Sequence, residues 1–209
     1  MFTGIVEELG EITELTLEDS ADGSRDARVS VHGPKVTADV AAGDSIAVDG
    51  VCLTVVGSAD GTFTAEMMAE TLARTTAGAW SPGTRVNLER SVTPTTRLGG
   101  HLVQGHVDGV GTVTAHTAHP GYDEVAIIVP AALGRYLAPK GAVAVDGISL
   151  TVIDVTDGAD GTTFTLGIIP ATRSATTMGH RTVGERVNIE VDVMAKYAER
   201  LLTGIGARP

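Results

Sequence analysis

The stretch Gly43-Asp-Ser-Ile-Ala-Val-Asp-Gly-Val-Cys-Leu-Thr-Val55 recurs as Lys140-Gly-Ala-Val-Ala-Val-Asp-Gly-Ile-Ser-Leu-Thr-Val152, with 7 of 13 positions identical at an offset of 97. Each copy holds two short apolar runs joined by Asp-Gly, a dipeptide suited to a two-residue hairpin because both residues tolerate positive φ. Outward from there, Met67-Met-Ala-Glu-Thr-Leu-Ala-Arg-Thr-Thr76 matches Ile168-Ile-Pro-Ala-Thr-Arg-Ser-Ala-Thr-Thr177 at an offset of 101. Arg85-Val-Asn-Leu-Glu89 matches Arg186-Val-Asn-Ile-Glu190, and Gly4-Ile-Val-Glu-Glu-Leu-Gly10 faces Gly105-His-Val-Asp-Gly-Val-Gly111, both at 101. Blocks that repeat in order mark a duplicated unit. The change of offset by four is read as a longer turn at Asp157–Thr162 in the second copy and a longer segment ahead of Gly43 in the first.

In the first copy, the runs Ser45–Val48, Val51–Val56, Thr62–Glu66 and Val86–Arg90 are punctuated by Asp49-Gly50 and Asp60-Gly61. This spacing predicts an antiparallel barrel or meander in each copy. Short helices are expected over Glu70–Ala77 and Pro130–Leu137. Pro, Thr and paired glycines interrupt the pattern over Pro94–Gly100, so the chain is divided into 1–97 and 98–192. The rest, 193–209, has no partner in the repeat. There Met194, Tyr197, Ala198, Leu201, Leu202 and Ile205 recur at helical spacing, with Lys196, Glu199 and Arg200 opposite and Gly204 as a stop. An amphipathic helix follows, its stripe packed on its own barrel or used for oligomerisation.

Composition excludes several classes. The balance of 43% apolar and 20% charged residues is that of an ordinary globular protein. A formal charge of −11 argues against a nucleic-acid partner, which would need clustered Lys and Arg. No apolar run is long enough for a membrane span and no leader-like start is present, so the cytoplasm is the expected location. Cys52 is the only cysteine, which rules out an internal disulfide and a thiolate metal site within one chain. The six histidines are too dispersed for a zinc motif, and there is no Gly-rich phosphate loop, so neither metal nor cofactor is expected.

The chemistry-bearing residues are unequal between the copies. Strict alternation puts Val51, Leu53 and Val55 on one face and Cys52 and Thr54 on the other; in the second copy Ser149 and Thr151 stand opposite Ile148, Leu150 and Val152. A lone cysteine is commonly a buried small hydrophobe. Its equivalence to Ser149, on a row shared with Thr in both copies, favours a ligand-facing position. His101 and His106, beside Gly99 and Gly100, have no counterpart in the first copy, where Ile5 faces His106. Histidine is the side-chain type suited to proton transfer near neutral pH, which makes both acid-base candidates. His32, His116, His119 and His180 lie in polar, turn-like contexts and are read as inert. Asp192 faces Ser91 and is either a solvated strand-end carboxylate or part of the reactive set.

Met1-Phe-Thr-Gly-Ile-Val-Glu7, Asp49-Gly-Val-Cys-Leu-Thr-Val55, Gly99-Gly-His-Leu-Val-Gln-Gly-His-Val-Asp108, Asp146-Gly-Ile-Ser-Leu-Thr-Val152 and Asn188-Ile-Glu-Val-Asp192 together resemble the riboflavin synthase alpha-chain family over essentially the whole chain. The resemblance implies an all-β fold of two tandem homologous six-stranded Greek-key β-barrels plus a C-terminal α-helix. It also implies a homotrimer with sites between the first barrel of one subunit and the second barrel of a neighbour. The implied reaction is dismutation of two 6,7-dimethyl-8-ribityllumazine molecules, bound together at one site, to riboflavin and 5-amino-6-(D-ribitylamino)uracil, without metal or cofactor. An association with a lumazine synthase shell stays open.

By the same resemblance, Cys52, Leu53 and Thr54 line the first-barrel pocket with Gly4, Ile5, Val6, Ser45, Glu66, Met67, Met68, Ala69, Glu70 and Thr71. Ser149, Leu150 and Thr151 line the second with Gly105, His106, Val107, Lys140, Gly167, Ile168, Ile169, Pro170, Ala171 and Thr172. Phe2 is expected to set a ring beside the ligand. Cys52, His101, His106 and Ser149 are the catalytic candidates for acid-base work and for positioning the nucleophile, with Asp192 orienting them or relaying protons; the group that supplies the nucleophile stays open. One departure is Ala171, where the family often carries a polar or charged residue; Glu70 keeps that place in the first copy. A non-catalytic lumazine- or flavin-binding relative would share the barrels without needing the reactive set. A structural trimer scaffold would not explain the polar rows.

Overall fold

The computed structural model of the chain describes residues 1–19 and 25–205. Among the described residues, twelve strands close into two antiparallel barrels of six, which fulfils the all-β duplicated expectation. The first barrel is built from β1 (Glu8–Asp19), β2 (Arg25–His32), β3 (Ser45–Val48), β4 (Val51–Ala59), β5 (Thr62–Met67) and β6 (Arg85–Arg90), neighbours running β1-β2-β5-β4-β3-β6 and back to β1. The second repeats that Greek-key order with β7 (Gly109–His119), β8 (Tyr122–Val129), β9 (Ala142–Val145), β10 (Ile148–Gly158), β11 (Gly161–Ile168) and β12 (Arg186–Val191).

Period-two alternation builds each wall. On β5, Phe63, Ala65 and Met67 turn inward while Glu66 faces out; on β11, Phe164, Leu166 and Ile168 turn inward. Each barrel thus fills around one phenylalanine, Phe63 among Val29, Val31, Leu53 and Leu88, and Phe164 among Val125, Ile127, Val143 and Ile189. Register shifts fall at matching places, Ile12/Glu14 and Val113/Ala115, then Val55/Gly57 and Val152/Asp154. A six-stranded barrel must curl tightly, and such bulges supply the bend.

Several expectations need correction. The extra residues at Asp157–Thr162 do not lengthen the turn: Gly158 pairs with Gly161 across a two-residue loop, and the insertion goes into longer strands, 11 and 8 residues against 9 and 6. The helix expected over Glu70–Ala77 splits into α1 (Ala69–Arg74) and a 3-10 turn at Thr76–Ala79. Extended Thr75 separates them, its hydroxyl donating to the Thr71 carbonyl and accepting from Ala77 N–H. The helix expected over Pro130–Leu137 is one turn, α2 (Ala131–Gly134); a side chain at Gly134 would collide with Thr162. The second copy also carries α3 (Pro170–Ala175) and a 3-10 turn at Thr177–His180. His116 lies inside β7 rather than in a turn, bonded to Asp123 and to the Arg181 carbonyl.

The barrels meet at a pseudo-twofold axis. The β3–β4 and β9–β10 turns both have positive φ at both residues, Asp49 (44°) and Gly50 (78°), Asp146 (46°) and Gly147 (77°). They touch back to back, since a Cβ on Gly50 would stand 2.7 Å from the Gly147 nitrogen. Asn87 donates to the Asp146 carbonyl and Asn188 to the Asp49 carbonyl, each stitching one barrel to the other.

The last element, α4 (Val193–Ile205), does not pack its apolar stripe on its own barrel, the first of the two expected arrangements. Its charged face docks on its own barrel, through Lys196 to Asp108 (2.7 Å), Glu199 to Arg135 (2.7 Å) and Glu199 to the Tyr136 hydroxyl. Met194, Tyr197, Leu201 and Leu202 face outward, each more than 60% exposed. The helix continues through Gly204, which does not stop it as expected; the Ile205 side chain lies outside the described residues. No helix among the described residues is long and apolar enough to cross a membrane.

Candidate functional site

The polar rows take the expected orientation. Cys52 is partly buried and Thr54 exposed on the outer face of β4; Ser149 and Thr151 repeat this on β10. What covers them is a correction to the sequence-based pairing. Gly4–Val6 lie against Ser149, not Cys52: Ser149 N–H donates to the Gly4 carbonyl at 2.8 Å, and Val6 packs on the second core. Gly105–Val107 conversely lie against Cys52, whose N–H donates to the Gly105 carbonyl at 2.9 Å, with Val107 on the first core. The lead segments of the two copies cross, pairing as a short antiparallel bridge between Phe2 and Val103. Gly4 and Gly105 are obligatory here, because a Cβ would stand 2.5 Å from that of Ser149 and 2.6 Å from that of Cys52.

The crossing makes both places hybrids. On the second barrel, His101 Nδ1 meets Ser149 Oγ at 2.6 Å, while His101 Nε2 is buried with no hydrogen-bond partner among the described residues. Leaving such an atom unsatisfied costs about 1–3 kcal/mol. Burial pushes the His101 imidazole below its ordinary pKa, and the Asp192 charge pulls the other way. Asp192 itself caps α4 through Met194 N–H (2.9 Å).

On the first barrel a cavity of about 570 Å³ brings together Cys52, Met68, Glu70, Thr71, Gly105, His106 and Val107. Glu70 stands at its edge, paired with Arg74 at 2.7 Å. The position equivalent to Glu70 is Ala171, so the second barrel lacks this charge.

The other expected site residues are not all gathered there. Phe2 is wholly buried with Ala47, Val103 and Ala144 between the barrels and offers no exposed ring. Leu53, Met67, Leu150 and Ile168 point into the barrel cores, a consequence of the alternation that turns their neighbours outward. Ser45 and Ile5 line a separate cavity of about 800 Å³ near Arg90 and Gly99. Glu66 is exposed and paired with Arg28 at 2.8 Å. Lys140 begins the second hairpin in a left-handed conformation (φ 67°), and Ala69 N–H donates to Asp26 Oδ1. Gly167 and Thr172 are partly buried, while Ile169, Pro170 and Ala171 are exposed at the start of α3.

Sequence reasoning missed the buried carboxylates around the axis. Asp49 and Asp146 are almost wholly buried and share one cation: Arg181 lies 2.6 Å from Asp146 and 3.5 Å from Asp49. Burial raises both carboxyls, Asp49 well above its ordinary range, with the Asp146 charge adding to the effect on Asp49. The available signal was the repetition of the same polar residues in both copies, Asn87 with Asn188 and Glu89 with Glu190, inside strands that are buried on both faces. Among the described residues no three His, Cys, Asp or Glu side chains cluster as a metal site.

Comparison with known proteins agrees with this geometry. The family model of the lumazine binding domain matches twice, at residues 3–91 and 104–192. The riboflavin synthase of Mycobacterium tuberculosis is 52% identical over 209 residues, covering 99% of this chain and all of that protein. The riboflavin synthase of Photobacterium phosphoreum is 46% identical, covering 97% of this chain and 89% of the relative. In fold, the chain is similar to LumP in a structure with riboflavin, at a TM-score of 0.80 and 24% identity over 92% of this chain and all of that one.

Proposed function

Because the chain belongs to the riboflavin synthase family, we propose that it converts two molecules of 6,7-dimethyl-8-ribityllumazine into riboflavin and 5-amino-6-(D-ribitylamino)uracil. A four-carbon unit leaves one ring system and is gained by the other. Donor and acceptor are the same compound, so the protein must hold two copies of it in unlike surroundings and oriented toward each other.

The observation that carries the reading is the pair of equivalent outward rows with unlike partners, Cys52 beside the His106 segment and Ser149 bonded to His101. The transfer needs a proton taken from an acidified ring methyl on one lumazine and a nucleophile added to the other. His101, bonded through Nδ1 to the Ser149 hydroxyl, is assigned the proton transfer by way of that hydroxyl, with Asp192 tuning its charge. Cys52 and His106 act on the lumazine at the first barrel, where Thr54, Met68, Glu70 and Thr71 surround it. Thr151, Ile169 and Thr172 are assigned to the other, with the Gly4–Val6 segment that lies on Ser149. The division of the chain at 97/98 and a cytoplasmic location belong to the same proposal.

Incubating the protein with 6,7-dimethyl-8-ribityllumazine alone is expected to yield riboflavin, followed by its absorbance, with one riboflavin formed per two lumazines consumed. Tight binding without turnover would sink the enzyme reading in favour of a binding protein.

We also propose assembly as a homotrimer through α4. A helix whose charged face is tied to its own barrel and whose Met194, Tyr197 and Leu201 stripe points away from it is built to pack on other copies. Leu201→Glu is expected to leave the barrels folded, judged by circular dichroism, while shifting the mass in sedimentation equilibrium from trimer to monomer. An unchanged mass would remove α4 from the interface.

A further inference from the structure

The outer rows of the two barrels end on buried carboxylates that the chemistry above does not use. Glu89 on β6 and Glu190 on β12 are each at least 94% buried, and burial raises both carboxyls above their ordinary range. Among the described residues neither forms an ion pair, although the Lys196 charge acts on Glu190 from farther off. Instead Glu89 accepts from Thr3 N–H (2.7 Å), Thr3 hydroxyl (2.7 Å) and Gly4 N–H (3.0 Å). Glu190 accepts from the N–H groups of Gln104 (2.7 Å), Gly105 (2.9 Å) and His106 (2.9 Å). Each carboxylate thereby fixes the lead segment of its own copy, and each lead segment lies on the other copy's reactive strand. Gly4 accepts from Ser149, Thr3 accepts from His101 N–H at 3.2 Å, and Gly105 accepts from Cys52.

We propose that Glu89 and Glu190 are positioning residues that act crosswise, Glu89 of the first barrel setting the Ser149–His101 site and Glu190 of the second barrel setting the Cys52 site. This rests on the synthase reading for its functional meaning, but the geometric claim stands apart from turnover. It also opposes what mere proximity predicts. Within its own barrel Glu89 is opposite Ala47, which is opposite Cys52; Glu190 is opposite Ala144, which is opposite Ser149. Each carboxylate thus sits two strand spacings, roughly 10 Å, from the reactive residue of its own barrel. The hydrogen-bond chain reaches the other one. Charge-assisted bonds from a buried carboxylate are the strong kind, and a neutral amide cannot replace them. In Glu→Gln the new NH₂ group would face backbone N–H donors with nothing to accept from it.

The test uses Glu89→Gln and Glu190→Gln in the full chain with one reporter for each site. Cys52 is the only thiol, so its alkylation rate by iodoacetamide reads the first-barrel site without interference. The NMR titration of the His101 ring, assigned by its loss in His101→Gln, reads the second. Glu190→Gln is expected to speed Cys52 alkylation by about tenfold, the scale of one lost charge-assisted hydrogen bond, and to leave the His101 titration in place. Glu89→Gln is expected to move the His101 titration up toward its ordinary value as burial loosens, with Cys52 unchanged. The reverse assignment, both reporters moving together, or neither moving would each overturn crosswise positioning. Should a Gln variant fail to fold, Glu→Asp at the same position keeps the charge, withdraws it by one methylene, and is read by the same two reporters. Neither reporter needs turnover, so a protein that makes no riboflavin could still pass this test, and an active one could fail it.

Discussion

His101→Ala is expected to lower the rate of riboflavin formation by about 10²–10⁴-fold, the range for loss of a positioned acid-base group, with the melting temperature nearly unchanged. The stability expectation follows from the site itself. The imidazole has one bonded nitrogen and one buried nitrogen without a partner, so removing the ring deletes an unsatisfied polar atom along with one hydrogen bond to Ser149. Ser149→Ala should cut the rate in the same direction and free His101 Nδ1. The pH profile supplies the sign. Burial holds the His101 pKa below its ordinary value, so the neutral base persists into mildly acidic solution and the rate falls only when pH drops through that lowered value. Asp192 opposes the shift, and Asp192→Asn should move the acid limb to still lower pH while keeping the cap on α4, since the amide oxygen can still accept from Met194. A His101→Ala enzyme with undiminished turnover would take His101 out of the mechanism.

The duplicated fold was legible because its signal is local. Two runs around Asp-Gly, repeated in order with β-branched alternation, dictate hairpins, and hairpins with alternating faces dictate which residues face out. Cys52, Thr54, Ser149 and Thr151 were therefore placed correctly on the outer surface. The pairing across the barrels was not legible. Gly4–Val6 and Gly105–Val107 carry no periodicity of their own, and nothing in either segment tells whether it lies on its own barrel or the other. That is settled by the long-range bonds from Ser149 to Gly4 and from Cys52 to Gly105, which link residues about 145 and 53 positions apart in sequence. Phe2 was misread for the same reason: an aromatic at a chain start looks available for a ligand until the crossing buries it. The α4 stripe was read correctly as amphipathic, but the sign of its packing depended on Asp108 and Arg135, charges on the barrel that hold its polar face inward.

The crossing also changes what the duplication accomplishes. Two independent barrels would each combine their own lead segment with their own strand, and the mismatches Cys52 against Ser149 and Ile5 against His106 would then fall Cys52 with Ile5 and Ser149 with His106. The exchange redistributes them, giving Cys52 the His106 segment and Ser149 the Ile5 segment with His101. Each site draws on both copies. Divergence in one copy therefore alters both proposed lumazine sites, and a dismutation between identical substrates needs its two sites to differ.

Two buried carboxylates at the axis share one cation, and Arg181→Ala is expected to be strongly destabilising. Its counterpart in the first copy is Trp80, so the two buried aspartates face a single guanidinium where strict symmetry would have placed two. Asp146 takes the close contact and Asp49 the longer one, and their inner oxygens are held by Asn188 and Asn87 N–H. Removing one partner of a buried ionic group costs about 3–5 kcal/mol because the remaining charge stays desolvated. At about 2–4 °C per kcal/mol for a chain of this size, melting should fall by roughly 6–20 °C. The deficit should depend on pH in a defined direction. Both carboxyls are raised in the folded protein, by burial first, so folding takes up protons; the stability they contribute is fully present below the unfolded carboxyl pKa of about 3.9 and is lost as pH rises through the raised folded values. Without Arg181 these values rise further, so the gap between wild type and variant should widen as pH is raised from acid toward neutrality. Asp49→Asn in the Arg181→Ala background removes the less well-paired charge and should recover much of the melting temperature near pH 7. Thermal melts of the three proteins across that range decide the matter: a deficit that is independent of pH, or one that Asp49→Asn fails to relieve, would mean that Arg181 acts by packing and not by neutralising the axis.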